Sequence, residues 1–197
     1  MKSVDFYFDF SSTNSYFAAF ILPEICERND ARINWLPIHL AAVFRGTGFD
    51  VMAMPPAKAR YLWRDHQRYA EMTGLPFRKP SRFPVKTSAA LRGVLAARRI
   101  AESADADFSQ AVFRAYWERD EDISDPIVLG SLAESVGLDR GAFLNSIDSA
   151  AIRDELAAIT ARAIKRGVFG APTFFVGTEM FWGKDRLDFV ERELRRS

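Results

Sequence analysis

A run of small polar residues from Ser11 to Asn14 stands between an alternating apolar segment and a segment whose apolar residues recur at helical spacing. The run therefore lies where a strand ends and a helix begins. The first turn of a helix carries unpaired backbone N–H groups and the positive end of the helix dipole, so it stabilises an anion held against it. Ser11 or Ser12 could hold a thiolate, a carboxylate or a phosphate there. The alternative is that one of them only caps the helix, a position that favours serine.

The elements around this run can be read from the periodicity of apolar residues. Residues 4–10 alternate as a strand with one buried face, and residues 31–38 alternate as a second strand. The helix between them contains Pro23, which should bend or interrupt it because proline removes an intrahelical hydrogen bond. Strand, helix and strand within 38 residues predict a parallel βαβ unit.

The rest of the chain predicts a thioredoxin-like α/β fold with a large inserted all-helical subdomain. From about residue 50 to 166 the patterns are helical, and strand character returns only in a hairpin over residues 173–182, before a terminal amphipathic helix. We therefore assign residues 1–45 and 160–197 to the thioredoxin-like domain and residues 46–159 to the helical insertion.

Composition excludes several classes of function. A net charge of +1 gives no field that argues for nucleic acid or an anionic membrane, and no apolar run approaches the roughly 20 residues of a spanning helix. The single cysteine, Cys26, cannot form an internal disulfide, and with only two histidines we expect no metal site. We read Cys26 as a small buried apolar residue, and we predict a cytoplasmic protein.

A second candidate site lies just before the hairpin, at Gly170-Ala171-Pro172-Thr173. A proline immediately ahead of a strand cannot donate to the ladder, and an ordinary turn would explain the sequence. In a thioredoxin-like arrangement, however, this turn faces the mouth of the first helix. The backbone of Ala171 would then be free to pair with an extended peptide, as the edge of a sheet does.

Three stretches of the chain carry a resemblance to a known family. They are Phe8-Asp9-Phe10-x-Ser12-x-x-Ser15-Tyr16, Gly170-Ala171-Pro172-Thr173-Phe174 and Phe181-Trp182-Gly183-Lys184-Asp185-Arg186-Leu187. Together they resemble the 2-hydroxychromene-2-carboxylate isomerase family, which is related to kappa-class glutathione transferases and to bacterial disulfide oxidoreductases. The match runs the length of the chain. The resemblance implies a glutathione-dependent isomerase of aromatic hydroxy-ketoacids, and homodimers are common among the relatives.

The resemblance also implies roles for particular residues. Disulfide-forming relatives have Cys-x-x-Cys where this chain has Ser12-Thr13-Asn14-Ser15, so the reactive sulfur would come from glutathione, with Ser12 donating a hydrogen bond to its thiolate. Ser11 competes with Ser12, but Ser12 stands three residues before Ser15, the spacing of the two cysteines. Ala171 and Pro172 would pair with the cysteinyl backbone of glutathione. Asp185 and the backbone of Lys184 would bind its γ-glutamyl end.

Other side chains are candidates for the substrate. Lys58 could bind a carboxylate of glutathione or of the substrate, or it could belong to a solvated helix face. Trp63, Trp117 and Trp182 could line an aromatic pocket, although large aromatic residues at helical spacing usually belong to a core. The small aromatic substrate and glutathione are the expected ligands, with no metal.

Two other functions fit the same residues. A kappa-like glutathione transferase or peroxidase would use the same thiolate site on other electrophiles. A non-catalytic thioredoxin-like module would bind a peptide at Ala171 and Pro172, and its function would survive the substitution Ser12→Ala.

Overall fold

The computed structural model of the protein describes residues 1–48 and 54–196. The described strands are β1 (Lys2–Phe8), β2 (Ala31–Pro37), β3 (Thr173–Val176) and β4 (Glu179–Trp182). The described helices are α1 (Thr13–Arg28), α2 (Leu40–Thr47), α3 (Pro56–Thr73), α4 (Ser88–Ile100), α5 (Ala104–Trp117), α6 (Pro126–Ser135), α7 (Arg140–Ile147), α8 (Ala150–Lys165) and α9 (Leu187–Arg196). A short 3-10 helix, Lys184–Arg186, precedes α9.

The four strands form one mixed sheet in the order β2-β1-β3-β4. β1 and β2 run parallel, with Val4 opposite Ile33, because α1 carries the chain back between them. β3 lies antiparallel to β1, with Val4 also opposite Val176, and β4 closes the hairpin. This is a thioredoxin fold with helices placed between β2 and β3, as the sequence predicts.

The core of the sheet is aromatic. Phe6 is fully buried and its ring centroid lies 5.1 to 5.4 Å from those of Phe8, Trp35 and Phe174, which come from three different strands. Phe8 also contacts Phe113 of α5 at 5.7 Å, so the inserted helices share this core with the sheet. Burial of such large rings holds the end of β1, and the polar run after it, in a fixed position.

Three helix ends follow local signals in the sequence. Ser12 caps α1, Gly74 ends α3 in the left-handed conformation, and Asp125 caps α6 ahead of a first-turn proline. Cys26 is 2% exposed and burial raises the pKa of its thiol to about 12, so the prediction of a buried apolar cysteine is confirmed.

Some of the predicted boundaries were wrong. α1 continues through Pro23 without interruption, because the buried Leu22, Ile25 and Cys26 hold its last turns against the core, while a bend at Pro23 stays a prediction. β1 ends at Phe8, two residues earlier than predicted. The eight-residue helices α2 and α7 were not predicted. The division at residues 45/46 and 159/160 stays a prediction, and α8 runs through residue 159 without a break.

Two features are absent from residues 1–48 and 54–196. No helix there is long and apolar enough to cross a membrane. The same part of the chain contains no group of three or more His, Cys, Asp or Glu side chains that could hold a metal ion.

Candidate functional site

Ser12 connects the mouth of α1 to the turn before β3. Its Oγ accepts a hydrogen bond from the backbone N–H of Ser15 at 3.2 Å, which makes it the N-cap of α1. The same hydroxyl donates to the carbonyl oxygen of Ala171 at 2.9 Å. The two candidate sites of the sequence analysis therefore meet at one buried hydroxyl group.

Ser11 has a different role from Ser12. Its hydroxyl and its backbone N–H both donate to Asp9 Oδ1, each at 2.9 Å. Asp9 is 2% exposed, and its other oxygen accepts from the backbone N–H of Leu40 at 3.0 Å. Asp9 thus fixes Ser11 to the start of α2, which leaves Ser12 as the hydroxyl that faces the turn. Local sequence patterns predict no role for Asp9.

The turn before β3 presents an unpaired backbone donor at Ala171. The Ala171–Pro172 peptide bond is cis, and the Thr173 hydroxyl holds the turn by donating to the carbonyl oxygen of Gly170 at 2.8 Å. Among the described residues, the backbone N–H of Ala171 has no hydrogen-bond partner. An extended peptide laid along this turn could accept from that N–H.

The 3-10 helix that follows β4 is tied to the same turn. The backbone N–H of Gly183 donates to the carbonyl oxygen of Pro172 at 3.0 Å, so Lys184 and Asp185 are held beside the turn. Gly183 has a φ of 101°, and a Cβ at this position would stand 2.6 Å from Asp185 Oδ1. Glycine therefore lets the Asp185 carboxylate fold close to the backbone.

A cavity of about 330 Å³ adjoins this 3-10 helix and is lined by Lys184, Asp185 and Tyr69. The Lys184 ammonium lies 4.4 Å from the Tyr69 ring centroid, and burial lowers the pKa of this lysine while Asp65 and Asp185 oppose the shift. Opposite charges thus stand next to each other on one wall. A larger cavity of about 470 Å³ lies beside β2, but none of the residues predicted for the site lines it.

An aromatic cluster flanks the mouth of α1 on the side of α3. We define it as Trp63, Phe77, Phe83 and Trp117, whose ring centroids lie 5.0 to 6.5 Å apart. Trp117 is fully buried and its indole N–H donates to the carbonyl oxygen of Phe10 at 2.9 Å, just ahead of the polar run. Phe83 is 43% exposed, so the cluster reaches the surface.

Trp182 and Lys58 lie apart from this cluster. Trp182 is half exposed and packs on Phe169 at 5.1 Å, with its indole nitrogen against Gly170, so it flanks the turn instead. Lys58 is exposed in the first turn of α3 and makes no hydrogen bond or ion pair with the described residues. The structure thus brings together Ser12, Ala171 and Pro172, with Lys184 and Asp185 beside them.

Comparison with known proteins agrees with this geometry. A family model described as a DSBA-like thioredoxin domain matches residues 3–195. A 2-hydroxychromene-2-carboxylate isomerase from Sphingobium xenophagum is 34% identical over 197 residues, which cover 98% of each chain. The chain belongs to the 2-hydroxychromene-2-carboxylate isomerase family. A solved structure of a 2-hydroxychromene-2-carboxylate isomerase is 33% identical, with a TM-score of 0.88, and the match covers 98% of this chain and 95% of that one.

The isomerase family also has more distant relatives that are similar to this chain. Glutathione S-transferase kappa 1 from Rattus norvegicus is 25% identical over 201 residues, covering 96% of this chain and 89% of the relative. The resemblances to this isomerase family and to the kappa class, predicted from three short stretches, are confirmed.

Three polar groups near the mouth of α1 have no predicted role. Asn14 and Ser15 belong to the first stretch that resembles the isomerase family, and His66 lies outside all three stretches. Asn14 Oδ1, Ser15 Oγ and His66 Nδ1 are buried and have no hydrogen-bond partner among the described residues. His66 belongs to α3, and its ring lies 6.3 Å from that of Phe17 in α1. Sequence periodicity gives no signal for His66, because only the packing of α3 on α1 brings it to the site.

Proposed function

We propose that the protein is a glutathione-dependent isomerase that acts on aromatic hydroxy-ketoacids of the 2-hydroxychromene-2-carboxylate type. The named relatives at 34% identity support isomerisation, and the kappa-class relative supports glutathione. The observation that carries the proposal is the position of Ser12, a buried hydroxyl at the N-terminus of α1 that faces the turn at Ala171. No cysteine stands in this turn, so the sulfur must come with a ligand.

The residues present fit a thiol tripeptide. The unpaired N–H of Ala171 can donate to the cysteinyl carbonyl of glutathione, in the way that a sheet edge pairs with a strand. Asp185 can accept hydrogen bonds from the γ-glutamyl ammonium, and the cavity beside Lys184 and Asp185 gives that end of the ligand room. Ser12 then faces the sulfur at the positive end of the α1 dipole.

Binding of a peptide backbone would also release the Ser12 hydroxyl. In the free protein Ser12 donates to the carbonyl oxygen of Ala171. A paired peptide brings its own N–H to that carbonyl, so the Ser12 hydroxyl can turn to the sulfur and donate there instead. A hydrogen bond to the charged form of a thiol lowers its pKa, and so does the helix N-terminus. Peptide pairing and thiolate stabilisation are coupled in this way.

When bound, glutathione supplies a thiolate that can add reversibly to an electron-poor carbon and leave again. The aromatic cluster offers the substrate ring a surface beside the mouth of α1, and offset stacking or edge contact on such rings is favourable. Lys79 Nζ lies 4.9 Å from the ring centroid of Trp63, which places a positive charge next to the cluster for a substrate carboxylate. Lys58 remains a further candidate for such a carboxylate.

The test is turnover of 2-hydroxychromene-2-carboxylate with and without added glutathione, in the wild type and in Ser12→Ala. We expect turnover that requires glutathione and falls by roughly 100-fold in Ser12→Ala, a loss on the scale of one stabilising donor. Ser11→Ala is the matched control, because the Ser11 hydroxyl is bound to Asp9, and it should keep most of the activity.

Two outcomes would contradict the proposal. Conjugation of an aryl halide without turnover of the chromene would favour a kappa-like transferase, which the 25% identical relative makes the second candidate. No turnover and no glutathione binding by calorimetry would favour a non-catalytic peptide-binding module. The cytoplasmic location, the homodimer and the absence of nucleic-acid partners stay predictions.

A further inference from the structure

His66 is a polar residue in aromatic surroundings. Its ring centroid lies 5.9 Å from Trp63 and 6.1 Å from Phe77, two members of the aromatic cluster, and 6.3 Å from Phe17. Its Nδ1 is buried without a hydrogen-bond partner in the described part of the chain. A buried polar atom without a partner carries a desolvation cost, whereas an apolar residue of the same shape would avoid that cost.

The position of this orphan nitrogen suggests a ligand. Four buried side-chain atoms lack hydrogen-bond partners among the described residues. Asn14 Oδ1 and Ser15 Oγ belong to the first turn of α1, and His66 Nδ1 belongs to a ring packed on α1. The fourth atom, Ser109 Oγ, lies elsewhere. Three of these four atoms therefore lie on α1 or on a ring packed against it, and α1 is the helix that Ser12 caps. Such clustering is what a site shows when its polar groups are completed by a bound molecule.

The charge state of His66 sets what it can recognise. Burial and, to a lesser degree, the nearby Lys184 ammonium lower the pKa of His66 to about 4, while Asp65 opposes the shift. The imidazole is therefore neutral at neutral pH, with one nitrogen that donates and one that accepts. A neutral imidazole can form a hydrogen bond with a hydroxyl group, whereas the nearby Lys184 ammonium would repel a cationic ligand group.

We propose that the imidazole of His66 binds the hydroxyl group of the aromatic hydroxy acid and thereby selects hydroxylated aromatic rings. The aromatic cluster holds the ring of the ligand. His66 contacts the cluster at Trp63 and Phe77, and its imidazole forms a hydrogen bond with the hydroxyl group of the ligand. This inference rests on the proposed function, because it takes an aromatic hydroxy acid as the substrate. It assigns His66 a role in specificity that the rest of the site does not supply.

The test compares the binding of 2-hydroxycinnamate and cinnamate, which differ only by the hydroxyl group. Both are measured by calorimetry on the whole chain without glutathione. We expect the wild type to bind 2-hydroxycinnamate about tenfold more tightly, as one hydrogen bond to a buried group provides. His66→Leu and His66→Asn are a matched pair, since the two side chains have the same shape and only the amide can hydrogen-bond near the Nδ1 position.

The expected outcome is that His66→Leu abolishes the preference and His66→Asn keeps most of it. Tyr61→Ala, an exposed position on the same helix, should leave it unchanged. A preference that persists in His66→Leu, or a wild type that shows no preference or binds neither probe, would overturn the inference. Thermal unfolding of each variant checks that it is folded; an unfolded leucine variant is replaced by His66→Met, and an unfolded asparagine variant by His66→Gln.

The outcome also separates this inference from the proposed function. A wild type that prefers 2-hydroxycinnamate but does not turn over the chromene with glutathione would reject the function and keep the role of His66. Glutathione-dependent turnover with equal affinity for the two probes would reject only the role of His66.

Discussion

Ser12 Oγ lies 2.9 Å from the carbonyl oxygen of Ala171, although the two residues are 159 positions apart in the chain. The contact joins the N-terminus of α1 to the turn before β3. In the free protein the Ser12 hydroxyl donates to the Ala171 carbonyl oxygen, and the N–H of a bound peptide can replace it as the donor to that oxygen. The arrangement therefore links recognition of a peptide backbone to the release of a donor for its sulfur.

The Asp185 carboxylate should contribute to the affinity for glutathione. We expect Asp185→Asn to weaken glutathione binding about tenfold, because a hydrogen bond between two charged groups is worth roughly 1.5 to 3 kcal/mol and the amide accepts it less strongly. Among the residues that the structure describes, Asp185 otherwise pairs only with Arg186 at 3.2 Å on the exposed surface, so the stability should hardly change.

Asp188→Asn is the control for this measurement, because Asp188 is exposed and lines the same cavity. Calorimetric titration with glutathione should show no more than a twofold change in that variant. Equal losses of affinity in the two variants would mean that the cavity attracts the ligand only through its overall charge.

His66 should make the stability of the fold depend on pH. Burial and Lys184 lower its pKa to about 4 in the folded chain, whereas the unfolded chain binds the proton near its ordinary pKa of about 6.5. Between these values the unfolded state holds more protons, so the free energy of unfolding should fall as the pH falls from about 6.5 to about 4, by up to about 1.4 kcal/mol per pH unit.

Urea denaturation of the wild type and His66→Leu across this range measures the effect. Burial also lowers the pKa of His39, but that residue is common to both proteins, so their difference isolates His66. The leucine variant should show a shallower decline. Parallel curves for the two proteins would show that His66 takes up its proton as readily in the folded state as in the unfolded state.

Gly93 in α4 should not tolerate a side chain, although alanine is normally the better helix residue by about 1 kcal/mol. A Cβ at Gly93 would stand 2.6 Å from Phe108 Cε1 and 3.0 Å from Phe143 Cζ, and both rings are fully buried. We expect Gly93→Ala to lower the free energy of unfolding by about 1 to 3 kcal/mol, as overpacking of a core does.

Gly46→Ala provides the opposite case. Gly46 lies in α2, and its added Cβ would meet the Ile164 side chain at 3.7 Å, an ordinary contact. This variant should be as stable as the wild type or more stable by up to about 1 kcal/mol. Urea denaturation of both variants makes the comparison, and a Gly93→Ala protein as stable as Gly46→Ala would refute the close packing of α4 against α5 and α7.

Local sequence patterns were sufficient for the fold. The alternation in β1 and β2, the hairpin over residues 173–182 and the helix caps at Ser12 and Asp125 all depend on neighbours in the chain. The continuity of α1 through Pro23 could not be read in this way. The lost hydrogen bond is a local cost, but the burial that offsets it comes from the sheet and from other helices.

The site was predicted only in part, because some of its contacts depend on tertiary packing and not on local sequence. Ser12 at a helix start and Ala171 ahead of a strand follow from local patterns, and the resemblance of the stretches around them to a known family implies their roles. The ties of Ser11 to Asp9 and of Trp117 to the carbonyl of Phe10, and the approach of His66 to α1, depend on tertiary packing. Trp182 was grouped with Trp63 and Trp117 by residue type alone, and the structure separates it from them.

The most direct test of the account is the pKa of the glutathione thiol in the complex, measured by ultraviolet titration of the thiolate. Ser149→Ala is the control for the lost cap, because Ser149 Oγ caps α8 with a 3.3 Å hydrogen bond from the Ile152 N–H, far from the site in sequence. The account predicts that the wild type and Ser149→Ala lower the thiol pKa from about 8.5 by roughly one to two pH units, and that Ser12→Ala returns it towards 8.5. A bound thiol that stays protonated well above neutral pH in the wild type, or a pKa that Ser12→Ala leaves unchanged, would contradict it.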